Sequence, residues 1–143
     1  MPIWLTNTTV DRLNARSAES MPGYLGIEFI EIGEDYLKAR MPVDQRTIQP
    51  IGILHGGASV ALAETLGSVG ALLCVDGTRK MVVGMEINAN HIRPVRSGYV
   101  VGEAQPVHIG SSTQIWEIRI TNDQGKLVCI SRITLAVLDK DKS

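Results

Sequence analysis

The alternation of apolar and polar residues predicts an antiparallel sheet. Residues 27–32 alternate, Gly33-Glu34-Asp35 forms a turn, and residues 36–41 return, which together indicate a hairpin. Four further stretches are strand-like and rich in β-branched residues: 81–92, 99–108, 114–122 and 127–138. Two strands, one long helix and a run of strands are typical of the α+β class.

One stretch, residues 56–75, is long and apolar enough for a helix, and Asp76-Gly77 is expected to end it. A shorter amphipathic helix is predicted for residues 10–15, with Thr9 as its N-cap. Gly23 and Gly26 are expected to break the chain after it, and residues 42–52, which contain two prolines, are expected to be irregular. The sheet must cover the long helix with one of its faces, since no second layer is predicted.

Glu64 is the single charged residue of the long helix. At about 100° per residue, the side opposite Glu64 carries an apolar stripe of Leu62, Leu66, Val69 and Leu73. The face around Glu64 consists of small or apolar residues: Gly57, Val60, Ala61, Gly67, Ser68 and Ala71. A solvated face would carry more polar side chains, so we expect another backbone to pack there and Glu64 to be partly buried. This favours a carboxylate with acid–base or nucleophilic function, with Ser68 within hydrogen-bond reach one turn away.

The loop at residues 49–57, Gln-Pro-Ile-Gly-Ile-Leu-His-Gly-Gly, leads directly into this helix. The first N–H groups of a helix have no internal acceptor and carry a partial positive charge. A carbonyl oxygen that gains charge during attack would be stabilised by the Gly56 N–H, with Gln49 and His55 as further donors. His-Gly-Gly alone is a weak motif, and Gln49 alone is more typical of a solvated loop. Together with Glu64 they indicate acyl transfer to water.

Composition narrows the class of protein. The 143 residues are about one domain, expected to span residues 1–143. A net charge of −1 without a basic run argues against a nucleic-acid partner. No signal-peptide pattern and no apolar stretch near the roughly 18 residues of a membrane span are found, so we expect a cytoplasmic protein without a membrane partner. Cys74 and Cys129 match no metal spacing and are expected to be buried, and neither a metal nor a cofactor is predicted.

Several motifs together resemble the hotdog-fold acyl-CoA thioesterases. They are residues 49–50, 54–59 (Leu-His-Gly-Gly-Ala-Ser), 61–68 (Ala-Leu-Ala-Glu-Thr-Leu-Gly-Ser), 83–94, 108–110 and 114–118. The likeness is to the phenylacetate-pathway type branch, which includes 1,4-dihydroxy-2-naphthoyl-CoA thioesterases and enterobactin proofreading thioesterases. It runs from about Trp4 to Leu138. Ile51 departs from the pattern, since close relatives often carry Phe there, and the tail past Leu138 is extra.

The resemblance implies a curved antiparallel sheet wrapped around one long central helix, a homodimer or a tetramer of paired dimers, and an active site between subunits. It implies that Glu64 is the catalytic carboxylate, acting as nucleophile or as general base on water. Gly56 would supply the backbone oxyanion donor, Gln49 and His55 would orient the carbonyl and the water, and Ser68 would place a hydroxyl near the carboxylate. The residues implied to line the CoA path are Gly84, His91, Ile92, Arg93, Pro94, His108, Ile109, Gly110, Ser111, Ser112 and Thr113.

The implied substrate is an acyl-CoA, and the branch favours an aromatic acyl group such as 1,4-dihydroxy-2-naphthoyl. Only 4% of the residues are aromatic, so the acyl slot is expected to be aliphatic, built from Ile51, Leu54, Val60 and Ala61. Such a slot also admits medium fatty acyl chains, which predicts a promiscuous enzyme.

The sequence leaves two alternatives open. Thioesters of aryl or acyl carrier proteins are an alternative substrate, and a non-catalytic acyl-CoA-binding module would keep the pocket without needing Glu64. An enoyl-CoA hydratase is disfavoured, because its motif has an Asp five residues before a His and Pro50 stands at that distance from His55. Without the resemblance, His91 and His108 would be interpreted as ordinary residues at the ends of strands. Arg93 would serve either a CoA phosphate or a rim salt bridge.

Overall fold

A computed structural model describes residues 1–140, and the tail residues 141–143 lie outside the described part. Six antiparallel strands form one sheet in the order β1-β2-β4-β5-β6-β3. The elements along the chain are α1 (Val10–Ser17), α2 (Met21–Tyr24), β1 (Glu28–Ile32), β2 (Leu37–Pro42), α3 (Gly56–Leu73), β3 (Lys80–His91), β4 (Tyr99–Ile109), β5 (Thr113–Thr121) and β6 (Leu127–Asp139).

The long helix α3 lies in the curve of the sheet. Leu62 and Leu66 are fully buried, as are Trp116 of β5 and Ile133 of β6. Helix and sheet approach closely at Gly67, where an added Cβ would lie 2.5 Å from Ile133 Cγ2. Gly67 and Ala71, two of the small residues around Glu64, are buried inside their own chain, so at these positions the neighbour expected to pack closely is the chain's own sheet. The predicted α+β class and the sheet wrapped around one central helix are confirmed.

Helix α3 ends at Leu73, two residues before the predicted end. The N-terminal segment supplies the reason, since the backbone N–H groups of Leu5 and Thr6 both donate to the Leu73 carbonyl, at 2.8 and 3.1 Å. Trp4 fixes this segment by donating from Nε1 to the Gly33 carbonyl at 2.7 Å and by stacking on Trp116. The helix is thereby fixed at its C-terminal end.

One property of this helix was not predicted from the sequence. Its 18 residues have a mean hydropathy of 1.3, long and apolar enough to cross a membrane by length and composition. Half of the helix is buried inside the protein, an environment that suits its apolar composition. It is the core helix of the fold.

Strand β3 forms one edge of the sheet and pairs only with β6 along the described chain. Most of its residues are exposed, among them the apolar Met81, Val83 and Met85. A bulge between Gly84 and Glu86 shifts its register against β6. A 12-residue edge with apolar side chains is the kind of surface that pairs with another strand.

Candidate active site

The loop before α3 and the end of β3 form the first part of the site. They enclose a cavity of about 460 Å³ whose lining includes the predicted residues Gln49, Gly56 and His91, with Ile92, Arg93, Pro94, Ile53, Leu54, Ser59 and Val128. The structure therefore brings together six of the residues that the sequence assigned to the oxyanion site and the CoA path.

The hydrogen bonds of this loop leave several donors free. His55 is the N-cap of α3, and its Nδ1 accepts from the Gly57 N–H at 2.7 Å. In a neutral imidazole the proton then lies on Nε2, which remains a donor. The Gln49 Oε1 accepts from the Ile51 N–H at 2.7 Å, so its amide NH₂ is available. Within residues 1–140 the Gly56 N–H has no acceptor.

Two backbone bonds hold this loop in place. The Leu54 N–H donates to the Val95 carbonyl and the His55 N–H to the Thr47 carbonyl, both at 2.8 Å. Gly52, with φ of 87°, closes the turn by donating to the Gln49 carbonyl at 2.9 Å. The loop that carries the donors is therefore held in place by backbone hydrogen bonds without any bound ligand.

His91 and Arg93 occupy the far wall of the first cavity. An added Cβ at Gly56 would lie 2.9 Å from His91 Nε2, so a side chain at this position would displace the imidazole. Arg93 Nη1 donates to the Leu127 carbonyl at 2.6 Å. Within residues 1–140 Arg93 makes no salt bridge, and both roles proposed for it, on a CoA phosphate or in a salt bridge at the rim, stay predictions.

Glu64 lies in a second, smaller cavity of about 170 Å³. The other lining residues are Met21, Pro22, Leu25, Ile27, Ala61 and Thr65. Its side chain is exposed in the single chain, so the expected partial burial is wrong for one chain. The backbone of β3 does approach it, since an added Cβ at Gly84 would lie 2.9 Å from Glu64 Oε2. Gly84, assigned from sequence to the CoA path, thus lies beside the carboxylate.

The two cavities share no lining residue. Gly56 and Glu64 are eight residues apart, which is about 12 Å along a helix axis. On the sheet, Gly56 lies beside His91 and Glu64 beside Gly84, positions about 20 Å apart along a strand. A thioester carbonyl needs donors and attacking group each about 3 Å from the reacting atoms. One chain therefore does not bring its own donors and its own carboxylate to one carbonyl.

Ser68 faces neither cavity. It lines a groove of about 410 Å³ between α1 and the start of β3, together with Val69, Leu72, Arg16, Lys80 and others. The expected hydrogen bond between Ser68 and Glu64 is not among the bonds of the described residues.

The expected aliphatic slot is also divided, since Leu54 lines the first cavity, Ala61 lines the second, and Ile51 is 72% exposed.

The remaining predicted residues lie at the turn between β4 and β5. His108 and Ile109 end β4, Thr113 begins β5, and the Gly110 N–H donates to the Thr113 carbonyl at 2.9 Å. Ser111 and Ser112 are exposed between them. This turn lines none of the three cavities described above. The role of residues 108–113 in the CoA path therefore stays a prediction.

The short helix α2 is the part of the site that sequence reasoning missed. Met21 and Pro22 of α2, with its C-cap residue Leu25, provide about half of the lining around Glu64. Gly23 and Gly26 were interpreted as a chain break, yet Gly23 lies within α2 and Pro22 lies in its first turn, where proline fits. The signal available in the sequence was Pro22, which follows Ser20 at a spacing typical of the first turn of a helix.

The expectation for both cysteines is confirmed. Cys74 and Cys129 are buried and free. Burial raises the pKa of the Cys74 thiol to about 11 and also raises the pKa of Cys129, which keeps both protonated at neutral pH. Neither thiol is a nucleophile under these conditions.

Gly84→Ala tests whether β3 positions the carboxylate. The new methyl group would displace the Glu64 side chain rather than backbone, and misplacing a reacting group lowers kcat, here by about tenfold. Steady-state kinetics should show the loss in kcat with an unchanged melting temperature. Gly77→Ala, where an added Cβ meets nothing within 4 Å, is the matched control. An unchanged kcat in Gly84→Ala would remove Gly84 from this role.

Comparison with known proteins agrees with this architecture. The family model described as "Thioesterase superfamily" matches residues 51–129. The chain is 53% identical over 136 residues to the 1,4-dihydroxy-2-naphthoyl-CoA hydrolase of Escherichia coli K12, covering 95% of this chain and 99% of that one. It is 51% identical to the proofreading thioesterase EntH of Cronobacter turicensis, covering 95% and 98%.

The crystal structure of a thioesterase from Haemophilus influenzae superposes with a TM-score of 0.94. It is 50% identical and covers 96% of this chain and 95% of that one. The fold and these matches define a thioester hydrolase of hotdog architecture. The chain belongs to the thioesterase superfamily. The non-catalytic binding module and the hydratase are thereby set aside.

Proposed function

We propose that this thioester hydrolase cleaves acyl-CoA thioesters to a free acid and CoA. Glu64 either activates a water molecule or attacks the thioester carbonyl carbon itself. The Gly56 N–H, Gln49 and His55 hold the carbonyl oxygen as it becomes negative. The carbon–sulfur bond then breaks, and the CoA thiolate takes a proton; in the nucleophilic route, water hydrolyses the acyl-enzyme. The observation that carries the proposal is the set of free donors at the start of α3.

The active species in this proposal is a homodimer, alone or paired into a tetramer. One chain holds the Gln49 and Gly56 donors and the Glu64 carboxylate in two separate cavities, which supports this assembly. A two-fold axis brings the donors of each chain to the carboxylate of the other and so makes two equal sites. Light scattering should give a mass at least twice the 15.5 kDa of one chain. A mass of 15.5 kDa at working concentration would contradict the assembly.

An aromatic acyl group is the substrate class that we propose. The E. coli relative, 53% identical, is a 1,4-dihydroxy-2-naphthoyl-CoA hydrolase, which makes that acyl group a candidate here. The cavity around Glu64 offers the apolar side chains of Met21, Pro22, Leu25 and Ile27. A flat apolar acyl group gains burial energy from such walls, at roughly 0.8 kcal/mol per CH₂-sized unit.

A substrate panel tests this proposal. We expect kcat/KM for benzoyl-CoA to exceed that for acetyl-CoA by at least ~10-fold, because acetyl forfeits the burial that positions the carbonyl. Release of CoA thiol would be measured for benzoyl-, phenylacetyl-, acetyl- and long-chain acyl-CoA. Equal kcat/KM for acetyl-CoA and benzoyl-CoA would contradict the aromatic assignment. Faster turnover of an aryl carrier protein thioester than of the matching CoA thioester would identify a carrier protein as the substrate.

A further inference from the structure

The first turn of α3 carries a buried hydroxyl, that of Ser59. Ser59 is 1% exposed and lines the first cavity together with Gln49 and Gly56. Within residues 1–140 its Oγ has no hydrogen-bond partner. Buried polar groups in native proteins almost always have a partner, which is supplied by the protein, by water or by a ligand. The Ser59 hydroxyl therefore indicates that a polar group of a ligand enters this cavity.

The hydroxyl is directed to the cavity and not to its own helix. A serine in a helix often bonds the carbonyl one turn earlier. The His55 carbonyl at that position already accepts from the N–H groups of Ala58 and Ser59, at 3.0 and 3.3 Å. Among residues 1–140, every side-chain nitrogen or oxygen that is sealed from solvent has a partner. The unpartnered Ser59 Oγ must therefore reach the accessible surface, and that part of Ser59 lines the first cavity.

The surroundings of Ser59 restrict the ligand that fits. Beyond the oxyanion donors and the far wall of His91 and Arg93, the lining is apolar and consists of Ile53, Leu54, Ile92, Pro94 and Val128. A ligand group that enters an apolar cavity loses its water and needs a hydrogen bond in return. An apolar chain with one polar group beside Ser59 satisfies both parts of this lining.

The thiol arm of the proposed substrate has this composition. In a CoA thioester the carbonyl carbon is followed by the sulfur, two CH₂ groups and an amide. Ser59 is three residues after Gly56, which is about 4.5 Å along the helix axis. When the carbonyl oxygen lies at the Gly56 N–H and the arm runs along α3, the amide reaches Ser59. The acyl group lies on the other side of the thioester carbonyl, toward Glu64.

We propose that the Ser59 hydroxyl hydrogen-bonds the amide nearest the thioester in the thiol arm of the substrate. A hydroxyl both donates and accepts, so it serves either the N–H or the C=O of that amide. The bond holds the arm one helical turn from Gly56 and so places the thioester carbonyl at its donors. The inference rests on the proposed function and adds a residue that selects for the thiol arm, which CoA and carrier proteins share.

Two small benzoyl thioesters isolate this contact. The N-acetylcysteamine thioester contains the amide, and S-pentyl thiobenzoate has two CH₂ groups in its place. The ratio of their kcat/KM values, amide over alkyl, should fall by roughly 3- to 10-fold from wild type to Ser59→Ala, the effect of one neutral hydrogen bond. Ser97→Ala removes an exposed hydroxyl that lines none of the three cavities, and it should keep the wild-type ratio.

The division of the loss between KM and kcat separates Ser59 from the oxyanion donors. The amide is bound equally before and during attack, so Ser59→Ala should raise KM for the amide thioester and leave kcat nearly unchanged. An unchanged ratio of kcat/KM would overturn the proposal. So would an equal loss of kcat with both thioesters, because it would place Ser59 at the carbonyl.

Thermal unfolding gives an independent measurement. Ser59→Ala should not lower the melting temperature, since alanine favours the helix and the hydroxyl that it removes has no partner in the chain. A lower melting temperature would mean that the hydroxyl is already bonded within the folded protein, which would contradict its assignment to a ligand.

Binding of pantetheine distinguishes this inference from the proposed function. Pantetheine carries the thiol arm without a thioester, so its affinity, measured by calorimetry, does not depend on turnover. Binding that is roughly 3- to 10-fold weaker in Ser59→Ala, in a protein that hydrolyses no thioester, would support the contact and refute the proposed function. Turnover of benzoyl-CoA with the same substrate ratio in wild type and Ser59→Ala would refute the contact and leave the proposed function intact.

The shared arm also predicts how the two kinds of natural thioester respond. Ser59→Ala should lower kcat/KM by the same factor for benzoyl-CoA and for a benzoyl carrier protein. The faster of the two with wild-type enzyme identifies the source of the arm. A loss confined to one of them would overturn the assignment of Ser59 to the amide that both contain.

Discussion

Glu64→Ala is expected to lower kcat by at least about 10²-fold, the usual loss when a general base or nucleophile is removed. The carboxylate is the one charged group on α3 and lies at the edge of an apolar cavity. No other carboxylate lines that cavity. The fold should survive, because the side chain is exposed in the single chain and makes no hydrogen bond or ion pair within residues 1–140.

Release of CoA thiol from benzoyl-CoA measures this effect. Glu64→Gln keeps the size and polarity of the side chain but loses the charge, and it should be as inactive as the alanine variant. Glu19→Ala removes an exposed carboxylate that lines none of the three cavities, and it should retain wild-type kcat. A Glu64→Ala enzyme with wild-type kcat would show that another group attacks the thioester or activates the water.

Gln49→Ala and His55→Ala should each lower kcat by roughly 10²–10³-fold, as the loss of one oxyanion donor does elsewhere. The Gln49 Oε1 accepts from the Ile51 N–H, and the His55 Nδ1 accepts from the Gly57 N–H. The amide NH₂ of Gln49 and the Nε2–H of a neutral His55 are then the donors available to a ligand. The donor matters most when the carbonyl oxygen becomes charged. The loss should therefore appear in kcat more than in KM.

Two controls separate catalysis from folding in these variants. His55→Asn keeps a side chain that caps helices well but loses the Nε2 donor, so it should fold normally and remain impaired. Gln45→Ala changes an exposed glutamine of the preceding loop and should leave kcat unchanged. If both Gln49→Ala and His55→Ala change KM alone, these residues bind the substrate without stabilising the developing charge.

The sequence predicted much of the fold because its patterns are local. The strand boundaries agree to within one residue and α3 begins at the predicted Gly56, since the glycines and prolines that end these elements act on their immediate neighbours. The end of α3 was misplaced because the N-terminal segment bonds to Leu73, a contact between distant parts of the chain. The helix α2 was missed because Gly23, which lies inside it, was interpreted as a chain break.

The site was predicted in its parts but not in its arrangement. Periodicity located Glu64 and the loop motif located Gly56, yet neither gives the distance between them on a folded chain. The small residues around Glu64 were interpreted as a sign of partial burial, whereas one chain leaves the carboxylate exposed. Ser68 is one helical turn from Glu64, but the groove that it lines opens toward α1. These features depend on how elements pack and pair, which local patterns do not determine.

The claim that the site is shared between two chains has a direct test in subunit complementation. Glu64→Ala and Gln49→Ala proteins, each nearly inactive, would be mixed in equal amounts, allowed to exchange subunits and assayed with benzoyl-CoA. In a random mixture half of the dimers are hybrids, and each hybrid has one site with both residues intact. We therefore predict recovery to about a quarter of wild-type activity. No recovery after subunit exchange has been demonstrated would contradict the account and place Glu64 and Gln49 of one active site on the same chain.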